Sequence, residues 1–177
     1  MKSATALLLL ALVPAPAAAQ VRYDLGALAS FQQRVASDGK LAEGGALTLD
    51  GHVAVFPLLR IGAWATAEAS EPTSGGDLRG IFGGGLRVKI VPPWPRGLWR
   101  MWIATGFGYD GLASDVGGGG FFEIPAILGA SYRLRKPWVF LMELGARAAF
   151  GFWGSYYDRA ATDVLSIALS FGFGFDG

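Results

Sequence analysis

Cysteine is absent from the chain, and histidine occurs once, at His52. The first absence removes disulfides, thiolate metal sites and a lipidated N-terminal cysteine. The second leaves a metal ion nothing but carboxylates to complete its shell, so neither a metal nor a cofactor is expected. An excess of one charge is also lacking: Lys+Arg number 15 and Asp+Glu 14. Loss of Lys2 with a cleaved leader would balance them, and a neutral chain has no bulk attraction for nucleic acid. After the N-terminal leader no apolar run approaches the roughly 20 residues of a membrane helix.

What the chain does have is apolar residues, 52% against 16% charged. That is far too hydrophobic for disorder. Met1-Lys2, the apolar stretch from Ala6 to Val13 and the small-residue site Ala17-x-Ala19 read as a secretory signal peptide over residues 1–19, with Gln20 as the first mature residue. Residues 20–177 have the length of one domain.

The remaining apolar residues alternate. In the last segment Leu165, Ile167, Leu169, Phe171, Phe173 and Phe175 share one face, and Ser166, Ala168, Ser170, Gly172 and Gly174 the other. Seven earlier segments follow the same period of two, beginning near Tyr23, Leu47, Leu59, Phe82, Trp99, Phe122 and Trp138. Large residues hold one face, while small, polar and charged residues hold the other. A soluble sheet would turn the large face to a core, and a membrane barrel turns it to lipid. Eight such segments predict an all-β fold, an eight-stranded antiparallel up-and-down transmembrane β-barrel with both chain ends on one side. Tight turns are expected at Pro57, Pro92 to Gly97 and Arg135 to Pro137, and loops at Val35 to Gly45, Ser70 to Leu78, Gly111 to Gly120 and Trp153 to Ala161. Pro125 inside its segment marks a bulge or an edge, leaving the register of that strand open by one residue.

Trp and Tyr favour the two water–lipid boundaries. Trp99, Tyr132 and Trp138 are assigned to a periplasmic girdle, and Tyr109, Phe122, Phe150 and Trp153 to an outer one, where Phe152 also belongs.

The chain resembles the small outer-membrane β-barrel proteins, the OmpA-type barrel domain and its eight-stranded relatives. The likeness covers the mature chain and rests on its alternation and its terminal aromatic strand, Phe171, Phe173 and Phe175, past which Asp176-Gly177 extends. It implies the outer membrane of a Gram-negative bacterium, with lipid and the barrel assembly machinery as partners and a monomeric state. No extracellular partner is named by it, and no peptidoglycan-binding domain is expected.

Twelve charges fall on the small face, among them Asp50, Arg87, Glu123, Glu143 and Arg147, read as a network inside the lumen. An eight-stranded barrel is just wide enough for its side chains to fill it, so these charges must pair. Trp64, Trp102, Phe56 and Phe121 are expected to add bulk. A tight turn at Leu58 places His52 opposite Trp64. The glycine runs at 83–85 and 117–120 lack the helix and Lys-Ser/Thr of a phosphate loop, and the second is read as a mobile loop. A structural or surface-interaction barrel that is not an enzyme is therefore expected. A narrow passive channel and a lipid-modifying barrel enzyme are the alternatives, the enzyme weakened because His52 faces inward. A lipocalin-like carrier would reverse the two faces.

Overall fold

A computed structural model gives the fold and describes residues 22–72, 78–93, 97–115, 117–156 and 162–177. The leader over residues 1–19, Gln20 and parts of four predicted connections lie outside the described residues.

Eight strands form one closed antiparallel barrel in chain order: β1 (Tyr23–Ala36), β2 (Leu41–Ala54), β3 (Leu59–Pro72), β4 (Arg79–Ile90), β5 (Trp99–Ser114), β6 (Gly117–Arg135), β7 (Trp138–Trp153) and β8 (Asp163–Asp176). The first and last strands close it, Leu25 pairing with Phe175 and Phe31 with Leu169. Closure leaves no unpaired edge, the condition for burying a sheet in hydrocarbon.

The period-2 pattern sorts the side chains as the sequence implies. Leu47, Leu49, Leu86, Ile103, Leu128, Leu144, Ile167 and Leu169 are all exposed on the outer wall. Asp50, Arg87, Lys89, Asp110, Glu123 and Arg147 are buried inside. On β1 the outward apolar run extends from Tyr23 to Phe31. Beyond it the exposed Glu43 pairs across the ladder with Glu71, so these strands continue past the apolar band.

The strands are therefore longer than predicted. The segment expected to be a loop from Val35 to Gly45 is mostly ladder, with Val35 paired to Leu41 and Phe31 to Gly45. Only a short turn remains, closed by Ala36 N–H to Lys40 O at 2.8 Å, with Gly39 at a φ of 81°. Glycine adopts that left-handed conformation without a steric penalty. Lys40 donates its amide to Asp38 Oδ1 and pairs its ammonium with Oδ2, which holds the Asp38 carboxyl below the usual carboxylate range. The glycine run at 117–120 is likewise no mobile loop but the start of β6, paired with Ser114 to Gly111.

Pro125 introduces no bulge. Its register continues smoothly on both sides, opposite Arg147 on β7, and its carbonyl accepts the Thr105 hydroxyl at 2.8 Å. The irregularity lies further along, where Gly120 pairs with Trp153 but Phe122 with Phe150. Strand β7 carries one extra residue there, Gly151 at a φ of 66°. This is a glycine bulge, and it reverses the alternation. Phe152 consequently turns inward to pack on Phe121, with ring centroids 5.6 Å apart, while Trp153 turns out and stacks on Tyr109 at 6.3 Å. The assignment of Phe152 to the outer girdle is corrected accordingly.

Two further corrections follow from the β2–β3 turn, which is centred on Pro57 rather than on Leu58. His52 pairs with Gly62, and Trp64 with Asp50. Phe56 sits in the turn itself, 66% exposed, and adds nothing to the lumen.

Candidate functional site

Three large inward groups of the lumen, Trp64, Trp102 and Asp110, lie against glycine on a neighbouring strand. A methyl group placed on Gly129 would run into the Trp102 ring, one on Gly83 into the Asp110 carboxylate, and one on Gly108 into the Trp64 ring. Trp102 and Asp110 face these glycines as direct ladder partners. Within the glycine run at 83–85, Gly83 is thus floor space for the Asp110 carboxylate, while the two indoles lie over Gly108 and Gly129.

The interior falls into three tiers. Nearest the chain termini, Asp24 accepts from Arg60 and from His52 Nδ1 at 2.8 Å, with Lys89 Nζ 3.4 Å away. Asp176 accepts from Arg100, and Arg60 lies within 3.5 Å of its other oxygen. Residues of β1, β2, β3, β4, β5 and β8 meet in this tier. The Asp176-Gly177 extension is part of it: Asp176 N–H donates to Pro137 O and Gly177 N–H to Tyr23 O, fastening the end of β8 to its neighbours.

The middle tier is built on Arg87, which donates to Asp50 Oδ2 at 3.1 Å and lies 3.8 Å from Glu143 Oε1. Its guanidinium is 6.0 Å from the Trp64 ring, and that of Arg147 is 5.2 Å from the same ring. Lys89 Nζ sits 4.5 Å from the Trp102 ring. Cations over indole faces are stabilised even where full ion pairing is geometrically denied. Trp64 thereby joins the middle tier to the next.

In the far tier Arg147 donates to Glu123 Oε1 at 3.2 Å, and Arg34 grips both oxygens of Glu68, the Nε bond being 2.6 Å. Asp110 is fully buried there. Above these groups Ile81, Leu112, Phe121 and Tyr156 form an apolar cap with Phe152 against it, and Arg79 donates to the Tyr156 hydroxyl at 3.1 Å.

The five residues assigned to a lumen network thus lie in two tiers, Asp50, Arg87 and Glu143 in one and Glu123 and Arg147 in the other. The sequence reading missed Arg34, Arg79 and Asp176. The first two fall within segments read as loops or at their edges, although Arg34 continues the inward phase of Leu28, Ser30 and Gln32.

Trp99 and Tyr132 pack with ring centroids 4.9 Å apart at the terminal end, where Trp138 contacts Phe175 at 4.0 Å. At the far end Tyr109, Phe122, Phe150 and Trp153, with Phe107, form one continuous aromatic patch across β5, β6 and β7. On the opposite wall an apolar trough of about 630 Å³ lies over Ala27 and Ala29, between Leu47, Leu49 and the ridge of Phe171 and Phe173, and continues past the leucines over Ala65 and Ala67. Its surface has the chemistry of hydrocarbon and offers no polar group to orient a ligand. Among the described residues no group of His, Asp and Glu side chains has metal-binding geometry.

A closed barrel with an apolar wall and a charged, filled interior is the architecture of small outer-membrane barrels. The crystal structure of Neisserial surface protein A (NspA) is similar over 86% of this chain and 96% of that one, with a TM-score of 0.72 at 13% identity. A major outer membrane protein from Thermus thermophilus is similar over 88% of this chain and 99% of that one, with a TM-score of 0.59 at 12% identity. At these identities the likeness is one of fold. No protein-family model and no curated protein matches the chain.

Proposed function

We propose that this protein is an outer-membrane barrel of a Gram-negative bacterium, exported by the leader over residues 1–19 and inserted by the barrel assembly machinery. It acts as a monomeric structural or surface-interaction element, with its charges cross-linking the interior. The observation that carries this reading is the inversion of the two faces. Arginine or lysine placed on the lipid side would cost about 2–4 kcal/mol each near the bilayer midplane and Asp or Glu somewhat less, and within the apolar band the charges of the described residues point inward. With its termini in the periplasm, the barrel presents Tyr109, Phe122, Phe150 and Trp153 at the outer boundary and Trp99, Tyr132 and Trp138 at the inner one.

The filled interior favours this role over conduction, because Trp64 and Trp102 are 4% and 3% exposed amid paired charges. His52, the one candidate base for lipid chemistry, has no exposed side-chain surface and is held by Asp24 inside the barrel. Fractionation of cells expressing the full chain tests the reading. The protein is expected with the outer membrane, lacking residues 1–19 by mass, and faster on a gel when unboiled. Recovery as a soluble protein with unchanged mobility would overturn it.

A further inference from the structure

The two mouths of the barrel differ. The far one is closed by the apolar cap, whereas the terminal one opens into a basin of about 300 Å³ lined by Arg22, Arg60, Arg100, Arg133 and Lys136 against the Asp176 carboxylate and the main-chain carboxylate of Gly177. Arg60 and Arg100 are occupied by Asp24 and Asp176. Among the described residues, Arg22, Arg133 and Lys136 form no ion pair, so the basin keeps an excess of positive charge. Their placement is set by the fold: Arg22 precedes β1 with its carbonyl bonded to Ala54 N–H, Arg133 is held through its N–H on Leu98 O, and Lys136 stands in the β6–β7 turn.

Everywhere else in the lumen a cation has an acid or an aromatic ring. An unmatched set gathered around a concave mouth with low-dielectric walls focuses a positive potential into the opening. Guanidinium forks match two oxygens of one phosphoryl group, and an ammonium adds a point charge. We infer that the terminal mouth is a binding site for a phosphate-bearing anion, held by Arg22, Arg133 and Lys136 with Arg100 at its inner side. The phosphate could belong to a free polyanion or to the headgroup of an anionic lipid in the adjacent leaflet. Tyr23, Trp99 and Trp138, exposed on the same rim, mark that boundary. The inference does not rest on the cellular location proposed above.

The test uses the folded barrel in a zwitterionic detergent, titrated calorimetrically with inorganic pyrophosphate at low and high salt, and the same barrel in nanodiscs of phosphatidylcholine with some phosphatidylglycerol, examined by native mass spectrometry. Salt-sensitive pyrophosphate binding, weakened about tenfold or more in Arg133→Gln/Lys136→Gln and unchanged in Lys40→Gln at the far end, identifies a free anion. Phosphatidylglycerol retained by the parent and lost from the double variant, without pyrophosphate binding, identifies a lipid headgroup. Absence of both, or equal weakening by Lys40→Gln, overturns the site. Unboiled gel mobility reports folding, and the single variant Lys136→Gln supplies the comparison if the double variant does not fold.

Discussion

Arg147 of β7 passes over its own ladder partner, Pro125, to reach Glu123 on the same neighbouring strand, at 3.2 Å. Glu123 is fully buried and Arg147 nearly so, so neither charge has water to fall back on. Removing one partner leaves the other uncompensated. Glu123→Gln or Arg147→Met is expected to destabilise the barrel by about 3 kcal/mol. The double variant should cost less than the sum, with a coupling of about 1–3 kcal/mol in urea unfolding from lipid vesicles. Additive effects would show that the pair is not an interacting unit.

Neighbouring positions on β8 separate the two faces. Ile167 is 48% exposed on the outer wall, while Ser166 is 2% exposed inside, its hydroxyl without a hydrogen-bond partner. Ile167→Arg is expected to cost about 2–4 kcal/mol near the membrane midplane. Ser166→Ala removes only an unsatisfied group and should stay within about 0.5 kcal/mol. Equal costs in vesicle unfolding would mean the faces are misassigned.

Glycine substitutions probe the packed floor. In Gly129→Ala the new methyl must displace the Trp102 ring, an overpacking expected to cost about 1–3 kcal/mol. The nearest atom to a methyl on Gly145 is 3.6 Å away, an ordinary contact, so Gly145→Ala should be neutral or slightly stabilising. Near-UV circular dichroism should register the tryptophan displacement in the first variant alone.

Conductance tests the same floor from another direction. Purified barrels in a planar bilayer are expected to show no steady current. Trp64→Ala/Trp102→Ala, which removes two buried indoles, is expected to admit intermittent current only if the cap of Ile81, Leu112, Phe121 and Tyr156 also yields. Large stable openings in the parent protein, abolished by Glu143→Gln or Arg147→Gln, would favour a channel.

The alternation made the strand count, the closed topology and the inward charges legible, because a period of two survives any error in strand ends. Turn length did not survive such errors, and shifting the β2–β3 turn was enough to replace Trp64 by Gly62 as the partner of His52. The Gly151 bulge was equally hidden, since a glycine between Phe150 and Phe152 reads as one more inward position. Partner choice was hidden for a different reason. Asp24 gathers side chains from β2, β3 and β4, and which of them come level depends on strand tilt, which no single strand encodes. Arg34 and Glu68 were two strands apart in the same way.

The apolar cap has an electrical consequence. Ile81, Leu112, Phe121 and Tyr156 pack at the far end with few groups able to hydrate an ion, Leu28, Trp102, Ile127 and Leu141 fill the lumen on the other side of the middle tier, and only the tier of Asp24, Arg60, Lys89, Arg100 and Asp176 borders the terminal mouth. Mobile ions that enter the terminal mouth exchange with the solution on that side alone. The terminal tier is thus an inlet of one compartment, and a voltage across the membrane falls over the packed lumen beyond it, leaving the ion pairs near the termini almost outside its field.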